Sequence, residues 1–168
     1  MDESILFSEK QYFRQWWIWI ILFLIFAQLG FGIYSQIFKS TPFGNNPMSD
    51  SGLLLTASMM LVFISLFMTM HLDTKITKDC ISVNFFPFRL KYKDFKWEEI
   101  DKIYCREYKP LSEFGGWGLR GMGDNRALNV SGNKGIQIIF KNGNRLLIGT
   151  NKYEEVKKII ESLNLSEQ

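Results

Sequence analysis

The sequence predicts an α+β protein: a hairpin of two transmembrane helices, then a barrel of about seven antiparallel strands closed by a C-terminal amphipathic helix. Three observations predict this. Two long stretches near the N-terminus carry no charged side chain, short β-type runs follow one another after residue 72, and an apolar helical stripe lies near the end of the chain. The predicted division is an N-terminal segment with both helices over 1–72, with the helices at about 16–36 and 53–72, and a second domain over 73–168.

The first apolar stretch is long enough to cross a membrane. Between Arg14 and Lys39 there are twenty-four residues without a charge, and they include the nineteen-residue apolar run Trp16–Tyr34. At about 1.5 Å per helical residue this run measures roughly 28 Å, close to the ~30 Å hydrocarbon core of a bilayer. A cleaved signal peptide is not favoured, because the preceding residues are not net positive and no small-residue cleavage pattern follows. We therefore expect the segment to be retained.

A second uncharged stretch of twenty residues lies between Asp50 and His71, so the chain is expected to cross the membrane twice. A soluble core holding both helices is not favoured, because the rest of a 168-residue chain is too short and too polar to surround them. Lys and Arg are commoner on the two outer flanks than in the connecting loop, which holds only Lys39. Basic flanks favour the cytoplasmic side. The sequence therefore predicts a multi-pass protein of the inner (plasma) membrane with both termini in the cytoplasm.

Small and polar residues within the two spans have two interpretations. In the first, small residues let the helices approach closely and Gln28 donates a hydrogen bond across their interface; in the second, all of them are ordinary tolerated residues. The small residues are Gly30, Gly32, Ala57, Ser58 and Ser65. Neither span contains Asp, Glu, Lys or Arg, so no ion or proton pathway is indicated.

The region after residue 72 is mildly basic and rich in short strand patterns. It carries 17 Lys and Arg against 13 Asp and Glu, whereas residues 1–72 carry 3 against 4. The predicted strands are Asp73–Thr77, Ile81–Phe85, Phe88–Tyr92, Ile100–Tyr108, Ala127–Ser131, Gly135–Lys141 and Arg145–Gly149. The dipeptide Asn142-Gly143 predicts a tight hairpin between the last two, and the turn at 131–133 predicts a meander with the strand before them.

The last predicted element is an amphipathic helix that begins near Asn151. Asn151 and Glu154 have the spacing of a capping box. The apolar residues recur at three- and four-residue spacing, which predicts one buried stripe: Tyr153, Val156, Ile159, Ile160 and Leu163. We expect this stripe to close the barrel.

Several segments resemble those of a bacterial family. Residues 95–103 read FKWEEIDKI, and the block 107–150 contains EYKPLSEFGGWGLRG, NVSGNKGIQIIF and LLIGT. They are similar to segments of bacterial membrane proteins of unknown function that join a two-helix hairpin to a pleckstrin-homology-like (PH-like) domain. The resemblance covers nearly the whole chain and implies a cytoplasmic PH-like domain at the membrane. It implies no activity.

The Gly-rich segment FGGWGLRGMGDN is the most unusual feature outside the predicted spans. Its Gly116-x-Gly118-x-x-Gly121 spacing matches the dinucleotide fingerprint, but no apolar strand precedes it and strand-like sequence follows it. We expect a long loop instead, either packed with an arginine–carboxylate pair or serving as a binding surface. The candidate partner- or ligand-binding residues are Arg106, Phe114, Trp117, Arg120 and Arg126.

A second candidate surface is membrane-facing. Basic side chains near the phenylalanine-rich segment 85–88 would favour an anionic leaflet. The candidate residues are Lys75, Lys78, Phe86, Arg89 and Lys91, although core packing is an alternative role for the phenylalanines.

Constellations typical of catalysis are missing from the sequence. The single histidine, His71, lies at the end of the second apolar stretch, and Cys80 and Cys105 have no neighbouring ligands that would complete a zinc site. We expect no enzyme activity, metal or cofactor, and two free thiols. The expected function is binding or scaffolding, with the bilayer and then anionic headgroups, other membrane proteins or a second copy as partners, and without nucleic acid. The alternatives are a self-assembling membrane module and, remotely, a membrane-bound enzyme using the Gly-rich region.

Overall fold

A computed structural model of the protein describes residues 5–121 and 123–163, and it divides the chain into two compact units. One unit, Arg14–Thr69, contains two long helices. The other contains the chain up to Phe13 and from Met70 onward, and it holds two β-sheets and two shorter helices. The protein is therefore α+β, as the sequence predicts.

Two helices form the first unit. Helix α1 covers Trp16–Ile33 and continues as a π-helical turn over Tyr34–Phe38, and helix α2 covers Asp50–Thr69. Both are long and apolar enough to cross a membrane, and only 11% of the most apolar window of each is buried, unlike the core helix of a soluble protein. These properties indicate membrane association.

Few side chains of the two helices are buried. Leu22 of α1 and Leu53 and Ala57 of α2 are buried, and the rings of Trp19 and Phe67 meet edge to face at 5.6 Å. Elsewhere in the unit large apolar side chains are exposed, as a lipid solvent would favour.

The small and polar residues of the spans take different roles. A Cβ on Gly32 would lie 2.8 Å from the Phe43 ring, so glycine makes room for a loop residue rather than for the other helix. The hydroxyls of Ser58 and Ser65 donate to carbonyls within α2, so they satisfy groups of their own helix. Gly30 and Gln28 are exposed.

The second helix ends earlier than predicted. The expected span 53–72 is replaced by Asp50–Thr69, and His71 and Leu72 belong to a strand. Met70 and Leu72 are apolar, so hydropathy alone extends the helix through them, but Leu72 is fully buried in the sheet core.

The first sheet, sheet A, has four antiparallel strands in sequential order: β1 (Phe7–Tyr12), β2 (His71–Ile76), β3 (Cys80–Phe86) and β4 (Lys93–Lys96). Strand β1 was not predicted. It pairs with β2 from Phe7 opposite Ile76 to Tyr12 opposite His71, so the two membrane helices lie in sequence between two hydrogen-bonded neighbours. The predicted strand 88–92 is wrong, because β4 begins at Lys93 after a turn that includes Pro87, whose ring excludes a ladder hydrogen bond.

The second sheet, sheet B, has five strands in the order β5-β8-β9-β7-β6. Their bounds are β5 Ile100–Glu107, β6 Gly118–Arg120, β7 Asn125–Asn129, β8 Lys134–Phe140 and β9 Arg145–Gly149. The hairpin between β8 and β9 is confirmed, with Gly143 at φ +86°. Helix α3, Pro110–Phe114, lies between β5 and β6.

The predicted meander is wrong. Strand β7 pairs with β9 in parallel, with Ala127 opposite Leu147, and not with β8. The turn at 131–133 does reverse the chain, but it passes over the end of β9 and so crosses two strand spacings, about 10 Å. Turn chemistry in a sequence specifies a reversal and not the distance it crosses.

The strands also do not form the predicted closed barrel. Over the described part of the chain there are nine strands in two sheets instead of seven in one barrel, and one pairing is parallel. Residues from both sheets are fully buried and form the core of this unit: Leu72, Ile76, Ile81, Phe85, Ile103, Ile136, Ile138, Leu147 and Ile148.

Helix α4, Tyr153–Ser162, bears the predicted apolar stripe and lies against β5, with Val156 and Ile160 buried. The predicted capping box is wrong, because Lys152 is the N-cap residue and makes no side-chain cap. Asn151 is used elsewhere: its backbone N–H donates to the Glu9 carboxylate and its side chain accepts from the Ser131 hydroxyl.

Candidate binding site of the sheet unit

The Gly-rich segment is not the single long loop that the sequence predicts, because it contains the end of α3, strand β6 and the connection from β6 to β7. Gly116, Gly118 and Gly121 all have positive φ, and a Cβ on Gly121 would collide with the Asn125 carbonyl oxygen. Strand β6 follows the first glycines, where a dinucleotide-binding motif requires a helix. Glycine is therefore needed for the backbone conformation of the chain that enters β6, at Gly116 and Gly118, and of the β6–β7 connection, at Gly121.

Arg106 is engaged in a local network. Its Nη2 donates to Glu113 Oε2 at 2.7 Å and its Nε donates to Gln137 Oε1 at 3.0 Å. The hydrogen bond from Arg106, with a second from the Lys109 backbone N–H, lowers the pKa of Glu113. This is the arginine–carboxylate pair of the packed-loop alternative, and it anchors α3 to sheet B.

Phe114 and Trp117 also have structural contacts. Phe114 is buried with Tyr108, Ala127 and Leu147, and its ring meets Tyr108 edge to face at 6.1 Å. Trp117 is half-buried, and its Nε1–H donates to the Gly132 carbonyl at 3.0 Å. These two aromatic residues fold the Gly-rich segment back onto sheet B.

A buried tyrosine–asparagine pair supports the same segment. The Asn129 Nδ2 donates to the Tyr108 hydroxyl at 3.1 Å, and Asn129 Oδ1 accepts from the Gly118 N–H at 2.9 Å. Burial raises the pKa of Tyr108, which keeps the hydroxyl neutral. The start of β6 is thus fixed by hydrogen bonds from the core.

Arg120 and Arg126 are placed differently, because both line a cavity of about 820 Å³. Residues of both sheets contribute to it, together with the β6–β7 and β8–β9 turns. Five basic side chains line it, against the two acidic residues Glu99 and Asp124; the basic set is Arg89, Lys93, Arg120, Arg126 and Arg145. We call this space the cationic cavity.

The lining of the cationic cavity is apolar as well as basic. Val83 and Phe95 of sheet A and Leu128 and Leu146 of sheet B contribute buried side chains, which we call the apolar floor. Leu119 lies at the lining and is 52% exposed. A concave apolar surface with a few directed polar groups is the usual form of a small-ligand site.

The arginines on the two sides of the β6–β7 turn are each held through one nitrogen. Arg120 Nε donates to the Trp117 carbonyl at 2.9 Å, and Arg126 Nε donates to the Gly123 carbonyl at 3.1 Å. Within the described residues, none of the five basic side chains of the cavity forms an ion pair. The guanidinium groups are therefore positioned without a neutralising partner.

Sequence reasoning missed Lys93 and Arg145 and assigned Arg89 to a different surface. Arg145 reaches the cavity because β9 pairs with β7, which sets Asn125 opposite Arg145. No sequence signal indicates that parallel pairing. Lys93 lies at the start of β4, where its ammonium group is 4.9 Å from the centroid of the Phe95 ring.

The candidate membrane-surface residues do not form one patch. Phe86 lies opposite His71, with their rings stacked at 5.2 Å, whereas Lys78 lies in the turn at the other end of the β2–β3 ladder. The Lys75 ammonium lies 4.4 Å from the centroid of the Tyr92 ring, and Lys91 is exposed. Exposed Phe88 and Leu90 flank Arg89 in the turn before β4.

The two cysteines are free thiols, as the sequence predicts. Burial raises the pKa of Cys105 to about 11, so its thiol is protonated and a poor nucleophile at neutral pH. Cys80 is half-buried, near the hydroxyls of Thr77 and Ser82.

In comparisons with known proteins, no protein-family model matches the chain, and no curated protein matches its sequence significantly.

Proposed function

We propose that the protein anchors a binding module of PH-like type at the cytoplasmic face of the inner membrane, and that the cationic cavity binds an anionic partner. The two apolar helices serve as the anchor, and no catalysis takes place. The single observation that carries the proposal is the lining of the cavity, where five basic side chains meet two acidic ones above an apolar floor.

The charge balance supports an anionic occupant. Basic groups close together repel one another, and an anion that enters the cavity removes this repulsion. Four of the five basic side chains are exposed, so each one alone contributes little, but several positive charges that line one concave surface concentrate their field on a ligand there. Because the described residues supply no ion pair to these side chains, the compensating charge is expected to come from a partner.

The arrangement of elements supports a PH-like module with additions. Two sheets are followed by a C-terminal amphipathic helix that lies against one of them. The module departs from a simple antiparallel barrel in its β7–β9 parallel pairing and in the strand β1 that precedes the membrane helices. We place both of these features among the elaborations of the fold.

Tethering to the membrane increases the occupancy of weak binding sites. A module fixed to the bilayer has an effective concentration toward other membrane components that reaches the millimolar range. A partner of modest affinity is then bound for much of the time. Both short connections, from Tyr12 to Trp16 and from Thr69 to His71, keep the module close to the helices in sequence.

Thermal unfolding of the full chain in an uncharged detergent tests anion binding. Sulfate, citrate and a poly-glutamate peptide should raise the Tm of the wild type, because a ligand that binds only the folded state stabilises it. The triple variant Arg120→Ala, Arg126→Ala, Arg145→Ala should lose this increase.

The matched control removes three exposed lysines outside the cavity lining: Lys141→Ala, Lys157→Ala, Lys158→Ala. It should keep the increase in Tm. Equal increases in the wild type and in both variants would show that the cationic cavity is not the anion site and would sink the proposed function.

A further inference from the structure

We infer that the cationic cavity binds a phosphate ester that also carries an apolar group, the phosphate lying among the arginines and the apolar group on the floor. This inference rests on the proposed anion-binding function and narrows it to one chemical class. A phospholipid and a soluble alkyl phosphate share this chemistry.

The choice of basic residue favours phosphate. Four of the five basic side chains that line the cavity are arginines: Arg89, Arg120, Arg126 and Arg145. The guanidinium group is planar and presents paired N–H donors that match two oxygens of a phosphate, whereas lysine acts as a point charge. A tetrahedral phosphate offers oxygens to more than one such group at once.

The orientation of two of these arginines supports the same conclusion. Arg120 and Arg126 each use Nε to bind a backbone carbonyl, at 2.9 and 3.1 Å. The bond fixes the guanidinium plane, and neither Nη group of these two side chains donates a hydrogen bond to another of the described residues. Pre-oriented donors lose less conformational entropy on binding than free ones.

The apolar floor argues against a purely polar anion. Val83 and Phe95 come from one sheet and Leu128 and Leu146 from the other, and together they back the basic groups. These four side chains are already buried, so the gain comes from an apolar substituent next to the phosphate, which leaves water when it packs against them and against exposed Leu119. Inorganic phosphate has no such group. The volume of about 820 Å³ is within the range of small-ligand pockets and far too small for a folded domain.

The experiment is calorimetric titration of the full chain in an uncharged detergent with four probes: dihexanoyl phosphatidylglycerol, hexyl phosphate, glycerol 1-phosphate and hexanoate. The first two should bind at least about tenfold more tightly than the last two, because only they combine phosphate with an apolar group. Preference for the lipid over hexyl phosphate identifies a phospholipid source, and the reverse identifies a soluble ester; either supports the inference.

Variants separate the site from the detergent micelle. Arg120→Ala, Arg126→Ala should weaken binding by roughly tenfold or more, whereas Lys157→Ala, Lys158→Ala, with the same loss of charge on α4, should bind as the wild type. Arg120→Lys, Arg126→Lys keeps the charge and removes the paired donors, so it should bind several-fold more weakly; if the alanine variant does not fold, this variant carries the test.

Three results would overturn the inference. Equal affinities for glycerol 1-phosphate and hexyl phosphate would show that the apolar group of the ligand is not recognised. Wild-type affinity in the Arg120→Lys, Arg126→Lys variant would show that the paired N–H donors of arginine are not needed. If no phosphate probe binds while poly-glutamate still raises the Tm of the wild type, the anion-binding function stands and the phosphate assignment fails. If poly-glutamate, citrate and sulfate fail as well, the proposed function fails with it.

Discussion

At the scale of single residues, the glycines of the β6–β7 connection differ in what they tolerate. Gly121 and Gly123 both have positive φ, at +83° and +63°. A Cβ on Gly121 would meet the Asn125 carbonyl oxygen and the Arg126 Cα, whereas a Cβ on Gly123 has nothing within 4 Å. The two positions therefore separate backbone strain from steric collision.

We expect Gly121→Ala to lower the free energy of unfolding more than Gly123→Ala. A left-handed conformation alone costs an alanine about 1 kcal/mol, and the collision at Gly121 forces the turn to move in addition. Thermal unfolding of both variants in the same detergent measures the difference. Equal losses of stability would mean that the turn shifts freely and does not fix Arg126.

At the same scale, the residues of the candidate site were predictable only in part. Arg120 and Arg126 stand out in the sequence because they flank a glycine-rich turn, and the structure places both at the cationic cavity. Arg106 has the same charge and lies nearby in sequence, yet it forms an ion pair with Glu113. A sequence shows where a charge is and not which neighbour neutralises it, because that depends on the fold.

At the scale of elements, a buried polar cluster connects sheet A to the end of sheet B. The Glu9 carboxylate of β1 accepts from the Thr150 hydroxyl at 2.6 Å and from the Asn151 N–H at 2.9 Å. Gln11, also in β1, donates to the Gly149 carbonyl at 2.7 Å. Strand β1 is thus bound through its side chains to the last residue of β9 and to the two residues after it.

We expect Thr150→Val to destabilise the protein by about 1–3 kcal/mol, because it leaves a buried carboxylate oxygen without its donor. Thr150→Ser keeps the hydroxyl and should cost much less. Valine matches threonine in size and keeps its methyl group, whereas serine keeps the hydroxyl and loses the methyl group, so thermal unfolding of both separates the hydrogen bond from packing. A Thr150→Val variant as stable as Thr150→Ser or more stable would show that the bond to Glu9 contributes no more than packing of the methyl group.

The secondary-structure elements also differed in how well the sequence predicted them. The β8–β9 hairpin and α4 were found because their signals are local: Asn142-Gly143 for the turn, and the Val156 and Ile160 spacing for the stripe. Strand β1 was missed because two of its three buried residues, Glu9 and Gln11, are polar, and because fifty-eight residues separate its end from the start of its partner β2. Non-local pairings leave no local pattern.

At the scale of the whole molecule, the proposed topology can be tested by labelling. In a background with Cys80→Ser and Cys105→Ser, a single cysteine is introduced at Asn46, in the loop between the helices, or at Lys141, in the β8–β9 turn; both positions are exposed. With both termini in the cytoplasm, a membrane-impermeant maleimide should label Asn46→Cys on intact cells.

The Lys141→Cys chain serves as the matched control and should be labelled only after permeabilisation. The reverse pattern would place the sheet unit outside the cell. Labelling of both positions without permeabilisation would contradict a hairpin that crosses the membrane and returns.

Because Tyr12 and His71 are paired residues of adjacent strands, their Cα atoms are only about 5 Å apart. In the topology of sheet A, the whole membrane segment therefore occupies the position of a β-hairpin loop. The entropic cost of closing a loop grows only slowly with its length, by about 0.6 kcal/mol for each doubling. A chain in which a two-residue turn such as Asn-Gly replaces residues 13–70 would keep β1 next to β2, and this separates the folding of the sheets from insertion into the membrane.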